Sequence, residues 1–102
     1  MVRIVFSKIA RFDLKEIVDY IKRDSIKYAL LEKKNIIHAI DKLSYQPLIG
    51  KQMPEMNSSY RELIFGNYLV IYKIVSDNQV NILTIHHHAR SLSNNPAFND
   101  ED

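Results

Sequence analysis

The sequence YRELIFGNYLVIYKIVSDNQVNILTIHH, residues 60–87, decides the fold class. Its runs of β-branched and aromatic residues are separated by turn residues, a pattern typical of consecutive strands. We predict strands over residues 60–65, 68–75 and 80–87, joined by a two-residue hairpin at Gly66-Asn67 and a turn at 76–79. The strand at 68–75 is apolar on both faces, which indicates a central position in the sheet.

The chain before these strands shows helical periodicity. A short β-branched strand is predicted at residues 2–6, followed by two helices that begin after the N-cap residues Ser7 and Ser25. The first helix, residues 8–23, has a core-facing stripe, and so does the second; the members are Ala10, Leu14, Ile17, Val18 and Ile21, then Ala29, Ile36, Ile40 and Leu43. Residues 44–59 contain two of the three prolines and are predicted to be a long connection without a regular element.

The resulting order, β-α-α-β-β-β, predicts an α+β fold in one domain, because 102 residues with 46% hydrophobic content suffice for a single core. We expect the domain to cover residues 1–90 and to be followed by a polar, acidic tail over residues 91–102. The absence of cysteine excludes a disulfide scaffold, a zinc ribbon and a thiol nucleophile. No run of apolar residues is long enough to span a bilayer, and the N-terminal charges argue against a signal peptide, so we expect a cytoplasmic protein without a membrane partner.

Charge is distributed unevenly along the chain. Residues 1–90 carry fourteen basic and nine acidic residues, whereas residues 91–102 carry three acidic residues and no basic one. A basic body is compatible with an acidic protein or a polyanionic partner, although solvated lysines on helix surfaces explain most such excesses.

Particular residues within these elements resemble the RelE/ParE superfamily of toxins, and most closely its ParE-like members. The resemblance runs from about Ser7 to Arg90, and its motifs occur in the family order. They are Ala10-x-x-Asp13-Leu14-x-x-Ile17-x-x-Tyr20-Ile21, then Leu43-x-x-x-Pro47-x-x-Gly50-Lys51, then Tyr60-Arg61-Glu62-Leu63 with Gly66-Asn67-Tyr68 and Tyr72, and finally Ile82-Leu83 with His87-x-x-Arg90.

The resemblance implies a helical hairpin packed on a small, twisted, mainly antiparallel sheet. It also implies a partner antitoxin that neutralises the toxin, and either a homodimer or a toxin–antitoxin hetero-oligomer. ParE-like members poison DNA gyrase, RelE-like members cut messenger RNA on the ribosome, and both use essentially one scaffold, so the fold alone does not choose between them. A third alternative is a binding module that derives from such a toxin and has lost toxicity.

The nuclease alternative needs proton-transfer groups and cations at one site. The residues here that fit these roles are Arg61, His87 and Arg90, with Lys51 as a further cation. RelE-like nucleases, however, carry a tyrosine or a His-Tyr pair after the last strand, whereas residues 91–95 here are Ser-Leu-Ser-Asn-Asn. We therefore favour a ParE-like toxin that acts by binding a protein target rather than as an enzyme, with Lys51, Arg61 and Arg90 as target-binding residues.

Two further groups of residues have competing interpretations. His86, His87 and His88 alternate across a strand, so at most two converge locally, and we expect neither a metal ion nor a cofactor. Tyr60, Tyr68 and Tyr72 are candidates for stacking on nucleic-acid bases, but tyrosines in a central hairpin more often pack in the core.

The first helix also has a second, partial apolar stripe. Its members are Ile9, Phe12 and Tyr20, which lie outside the core-facing arc. A helix that already faces the core has no internal use for such a stripe, so we expect it to bind an acidic or amphipathic segment of the antitoxin, or a second copy of the chain.

Overall fold

The computed structural model describes residues 1–87, in which two helices pack against one face of a five-stranded sheet. The elements are β1 Arg3–Phe6, α1 Lys8–Lys22, α2 Ile26–Asp41, a 3-10 turn at Lys42–Ser44, β2 Lys51–Gln52, β3 Tyr60–Phe65, β4 Tyr68–Ser76 and β5 Gln79–His87. This order confirms the predicted α+β fold. The predicted tail, residues 91–102, and the predicted domain boundary at residue 90 lie outside the described residues.

The sheet has the strand order β1-β5-β4-β3-β2. Strands β2 to β5 pair with their neighbours in the antiparallel sense, and β1 joins the outer edge of β5 in the parallel sense, from Arg3 opposite Gln79 to Phe6 opposite Ile82. Two-residue hairpins need backbone with positive φ, and Gly66 supplies it between β3 and β4 with a φ of 57°.

The prediction that residues 44–59 hold no regular element was wrong. Lys51 and Gln52 form β2, which pairs with Glu62 and Arg61 at the edge of the sheet. A two-residue strand has too few positions for an alternating pattern to appear in the sequence, and its flanking prolines and glycine indicate a loop.

The core lies between the helices and the side of the sheet that faces them. Both predicted helical stripes are confirmed, since their residues are buried, apart from the half-buried Ile21. Tyr68 and Tyr72 are 4% and 0% exposed, which confirms that they pack in the core rather than form a platform for bases. Each helix begins at its predicted cap, because the hydroxyls of Ser7 and Ser25 accept hydrogen bonds from the N–H groups of Ala10 and Tyr28.

Candidate functional site

An open groove of about 450 Å³ runs between α1 and the end of β5. We call it the α1–β5 groove. It is lined by Phe12, Asp13, Glu16, Ile17, Asp19, Tyr20 and Arg23 of the helical region and by Ile85, His86 and His87 of β5. Phe12 and Tyr20, two members of the predicted second stripe, are 60% and 49% exposed. Ile9 is 63% exposed but lies outside the lining of the groove.

Two polar side chains fix α1 against β5 and thereby shape this groove. The Ser7 hydroxyl, which caps α1, also donates a 2.9 Å hydrogen bond to the carbonyl of Leu83, where a bulge interrupts the pairing of β5 with β4. One turn into the helix, Asp13 Oδ2 accepts bonds from Thr84 Oγ1 at 2.6 Å and from the Ile85 N–H at 3.0 Å. The helix is therefore attached to the strand by hydrogen bonds as well as by apolar contact.

The charged groups at the rim of the groove are mainly acidic. Asp19 accepts a 2.7 Å bond from Lys15, which holds the pKa of the aspartate below its usual range and raises the pKa of the lysine. Arg23 lies over the Tyr20 ring, 5.6 Å from its centroid. Since Asp13, Glu16 and Asp19 line the groove and Arg23 is the only lysine or arginine among its lining residues, the charges of the lining are mainly negative.

The histidines of β5 do not converge on a common centre. His86 is exposed, and its Nε2 lies 3.4 Å from Thr84 Oγ1, whereas His87 is half-buried and makes an edge contact with Tyr68 at 5.2 Å. His88 lies outside the described residues. Within residues 1–87, no three histidine or carboxylate side chains are grouped closely enough to hold a metal ion.

A second polar cluster lies on β3 and β4, beneath the segment that leads into β2. The buried Tyr72 hydroxyl donates to the carbonyl of Pro47 at 2.7 Å and accepts from the N–H of Gly50 at 2.9 Å. Arg61 Nη1 donates to the carbonyls of Gly50 at 2.7 Å and Leu48 at 3.3 Å. Burial raises the pKa of the Tyr72 hydroxyl, an effect that the Gly50 bond and the Arg61 charge partly oppose.

Of the residues proposed for RNA cleavage, those within residues 1–87 are not brought together. Residues paired across strands share a face, so Lys51, opposite Glu62, projects from one face of the sheet, and Arg61, opposite the core residue Tyr72, projects from the other. His87 belongs to β5, two strands from β3, which is roughly 10 Å at the usual strand spacing. Arg90, the fourth member, lies outside the described residues. The side chains of Lys51, Arg61 and His87 therefore do not meet at one point.

Sequence reasoning missed the roles of Asp13 and Tyr72. Asp13 was noted only as a member of a motif, and Tyr72 as a motif member that packs in the core, although both make hydrogen bonds across long stretches of chain. The one available signal was their type, because a carboxylate next to a core stripe and a tyrosine in a central strand each need a polar partner. Periodicity alone does not identify that partner.

No helix in residues 1–87 combines the length and the apolar character that crossing a membrane requires.

Comparison with known proteins gives consistent matches along nearly the whole chain. A family model described as ParE toxin of type II toxin–antitoxin system, parDE, matches residues 4–92. Two relatives named Toxin ParE1, from Mycobacterium tuberculosis strains CDC 1551 / Oshkosh and ATCC 25618 / H37Rv, are each 26% identical over 94 residues, which cover 91% of this chain and 96% of the relative.

Solved structures share the fold. A chain from the chromosomal ParDE TA system of P. aeruginosa superposes with a TM-score of 0.71 at 21% identity, covering 85% of this chain and 96% of that chain. A chain from the toxin–antitoxin complex RelBE2 of Mycobacterium tuberculosis superposes with a TM-score of 0.57 at 24% identity, covering 84% and 96%. With the fold, the motifs and the family match over residues 4–92 in agreement, the chain belongs to the family of ParE toxins of type II toxin–antitoxin systems.

Proposed function

We propose that this ParE-family toxin arrests growth by binding a protein target, DNA gyrase being the candidate, and that an antitoxin neutralises it at the α1–β5 groove. The observation that carries the antitoxin site is the exposure of Phe12 and Tyr20 on a helix whose opposite face is already buried. Large apolar side chains gathered at one groove mark a binding surface. That one structural relative comes from a toxin–antitoxin complex supports an antitoxin as the partner.

The charges of the groove favour one kind of antitoxin segment. The sequence alone is compatible with either an acidic or an amphipathic antitoxin segment. In the structure, three carboxylates line the groove beside a single arginine. An amphipathic helix or strand would cover Phe12 and Tyr20 with its apolar side and place a basic residue against Glu16, since Asp19 already pairs with Lys15. An acidic segment would meet charges of its own sign.

We expect Phe12→Asp to weaken antitoxin binding about 10-fold to 100-fold, because burial of a phenylalanine contributes roughly 1.5–3 kcal/mol. The affinity is measured by calorimetry with the antitoxin, sought among the neighbouring open reading frames. Phe12→Leu, which stays apolar, is the matched control and should keep most of the affinity. Unchanged affinity of Phe12→Asp, with unchanged circular dichroism, would remove this surface from consideration.

Protein binding as the mode of action is supported by the separation of Lys51, Arg61 and His87, since general acid–base catalysis needs groups within hydrogen-bond reach of one substrate. We expect His87→Gln to be nearly silent, whereas Arg90→Ala should reduce toxicity by removing a charged contact with the target. Growth arrest is compared at equal protein levels for wild type and both variants, and DNA breaks are scored against messenger RNA cleavage. A loss of roughly 10²–10⁴-fold in RNA cleavage in His87→Gln would instead establish the nuclease alternative.

A further inference from the structure

A segment between the helices and β2 exposes apolar side chains that neither the core nor the α1–β5 groove uses. We call residues 45–51 the clamped loop. Tyr45, Leu48 and Ile49 in it are 75%, 64% and 48% exposed, and Ile64 of the neighbouring β3 is 57% exposed. Ile49 lies between two shallow depressions, one lined with Tyr45 and Lys42 and the other with Lys51 and Ile64. Exposed apolar residues grouped in this way indicate a surface that is covered in a complex.

The backbone of the clamped loop is held from beneath. Tyr72 bonds to Pro47 and Gly50, and Arg61 bonds to Leu48 and Gly50, so the side chains of two strands fix the positions of three loop residues. Gly50 packs so closely against the Tyr72 ring that a Cβ atom there would lie 2.7 Å from Cε1. A loop fixed in this way loses little conformational entropy when it binds, which favours affinity.

The charge of this region specifies the partner. The two depressions beside Ile49 are lined by two lysines, Lys42 and Lys51, and by one carboxylate, Glu62, and the Arg61 guanidinium lies under the loop, so the region carries a net positive charge. The matching surface is therefore an apolar pocket with carboxylates at its rim. A nucleic acid fits less well, because Tyr45, Leu48 and Ile49 are exposed and Arg61 Nη1 is engaged by loop carbonyls.

The clamped loop is also separate from the proposed antitoxin site, since no residue of the loop lines the α1–β5 groove. Its Lys51 end belongs to β2, three strands from β5 and roughly 14 Å away at the usual strand spacing, and its middle contacts Tyr72 of β4. We propose that the clamped loop is the surface that docks on the protein target, with Leu48 and Ile49 inserted into an acidic-rimmed apolar pocket of that target. This inference rests on the proposed function, namely that the toxin acts by binding a protein.

The test substitutes Leu48, whose exposure implies that the fold does not depend on it. Leu48→Asp should abolish growth arrest and weaken binding to purified DNA gyrase by roughly 30-fold or more, the scale of an interface hot spot. Ile26→Asp is the matched control, because Ile26 is also 64% exposed and an aspartate is favourable in the first turn of α2. Leu48→Met, which remains apolar, should retain both activities.

The outcomes separate this inference from the proposed function. Growth arrest that survives Leu48→Asp overturns the inference and leaves the proposed function standing, whereas a wild-type chain that does not arrest growth overturns both. If the wild-type protein arrests growth without inhibiting gyrase, gyrase is not the target. The effect of Leu48→Asp on growth arrest then tests the inference by itself. Weaker antitoxin binding in Leu48→Asp, or conversion of a dimer to a monomer in sedimentation, would assign the loop to the antitoxin or to a second copy and overturn the inference.

Discussion

Gly50→Ala is expected to lower the free energy of unfolding by about 3 kcal/mol, at the upper end of the usual cost of overpacking. The added Cβ would lie 2.5 Å from the Tyr72 hydroxyl and 2.8 Å from the Glu62 carbonyl oxygen. Neither neighbour can move easily, since Tyr72 is fully buried and Glu62 belongs to a paired strand. The substitution should also break the two hydrogen bonds that Tyr72 makes with the loop.

Thermal denaturation measures this effect, and a loss of 3 kcal/mol corresponds to roughly 12–24 °C for a domain of this size. Gly66→Ala is the control, because no atom lies within 4 Å of its added Cβ and only the positive φ of 57° is unfavourable there. It should cost about 1–2 kcal/mol. The double variant Gly50→Ala, Tyr72→Phe should cost less than the sum of its parts, because removal of the hydroxyl relieves the shortest contact. Equal stability of Gly50→Ala and wild type would contradict the described packing.

Asp13→Ala should destabilise the protein by about 3 kcal/mol, because hydrogen bonds to charged groups contribute about 1.5–3 kcal/mol each and their loss leaves donors unpaired. The carboxylate accepts from both Thr84 Oγ1 and the Ile85 N–H, and both contacts are partly buried. Ile85, His86 and His87 line the α1–β5 groove, so the variant should also lose antitoxin affinity. Urea denaturation and calorimetry measure the two effects separately.

Three related variants identify the origin of this loss. Asp13→Asn keeps an acceptor without the charge and should cost about half as much, and Thr84→Val removes only one of the two bonds. Asp24→Ala removes an exposed carboxylate between the helices and should change stability by less than about 0.5 kcal/mol. An Asp13→Ala protein no less stable than Asp24→Ala would mean that α1 is held on β5 by apolar packing alone.

Most of the fold could be predicted because its signals are local. Ser7 and Ser25 begin helices through bonds to residues three positions ahead, and Gly66 marks a hairpin by its own backbone preference. The strand β2 escaped prediction because its two residues are fixed by pairing with Glu62 and Arg61, ten or so positions later in the chain. Local sequence carries little information about such a partner.

The site was predicted less completely for the same physical reason. Exposure of Phe12 and Tyr20 follows from helical periodicity, so the stripe was identified. The hydrogen bonds from Arg61 to loop carbonyls were not predicted, because a guanidinium has several donors and any nearby carbonyl can accept from them. Only the three-dimensional arrangement shows that Arg61 supports a loop, and contact of this residue with the target stays a prediction.

The parallel pairing of β1 with β5 has a consequence for the order of events during synthesis. Arg3 lies opposite Gln79, so the first strand has no partner until almost all of the described chain has left the ribosome. Contacts this distant in sequence are formed late and slowly. Nascent chains shorter than about 80 residues would lack both the last strand and the groove beside it, and we expect a growth-inhibiting activity to arise only after β5 has paired. Because the α1–β5 groove is completed by the same strand, we expect an antitoxin to bind chains in which β5 has paired and not shorter nascent chains.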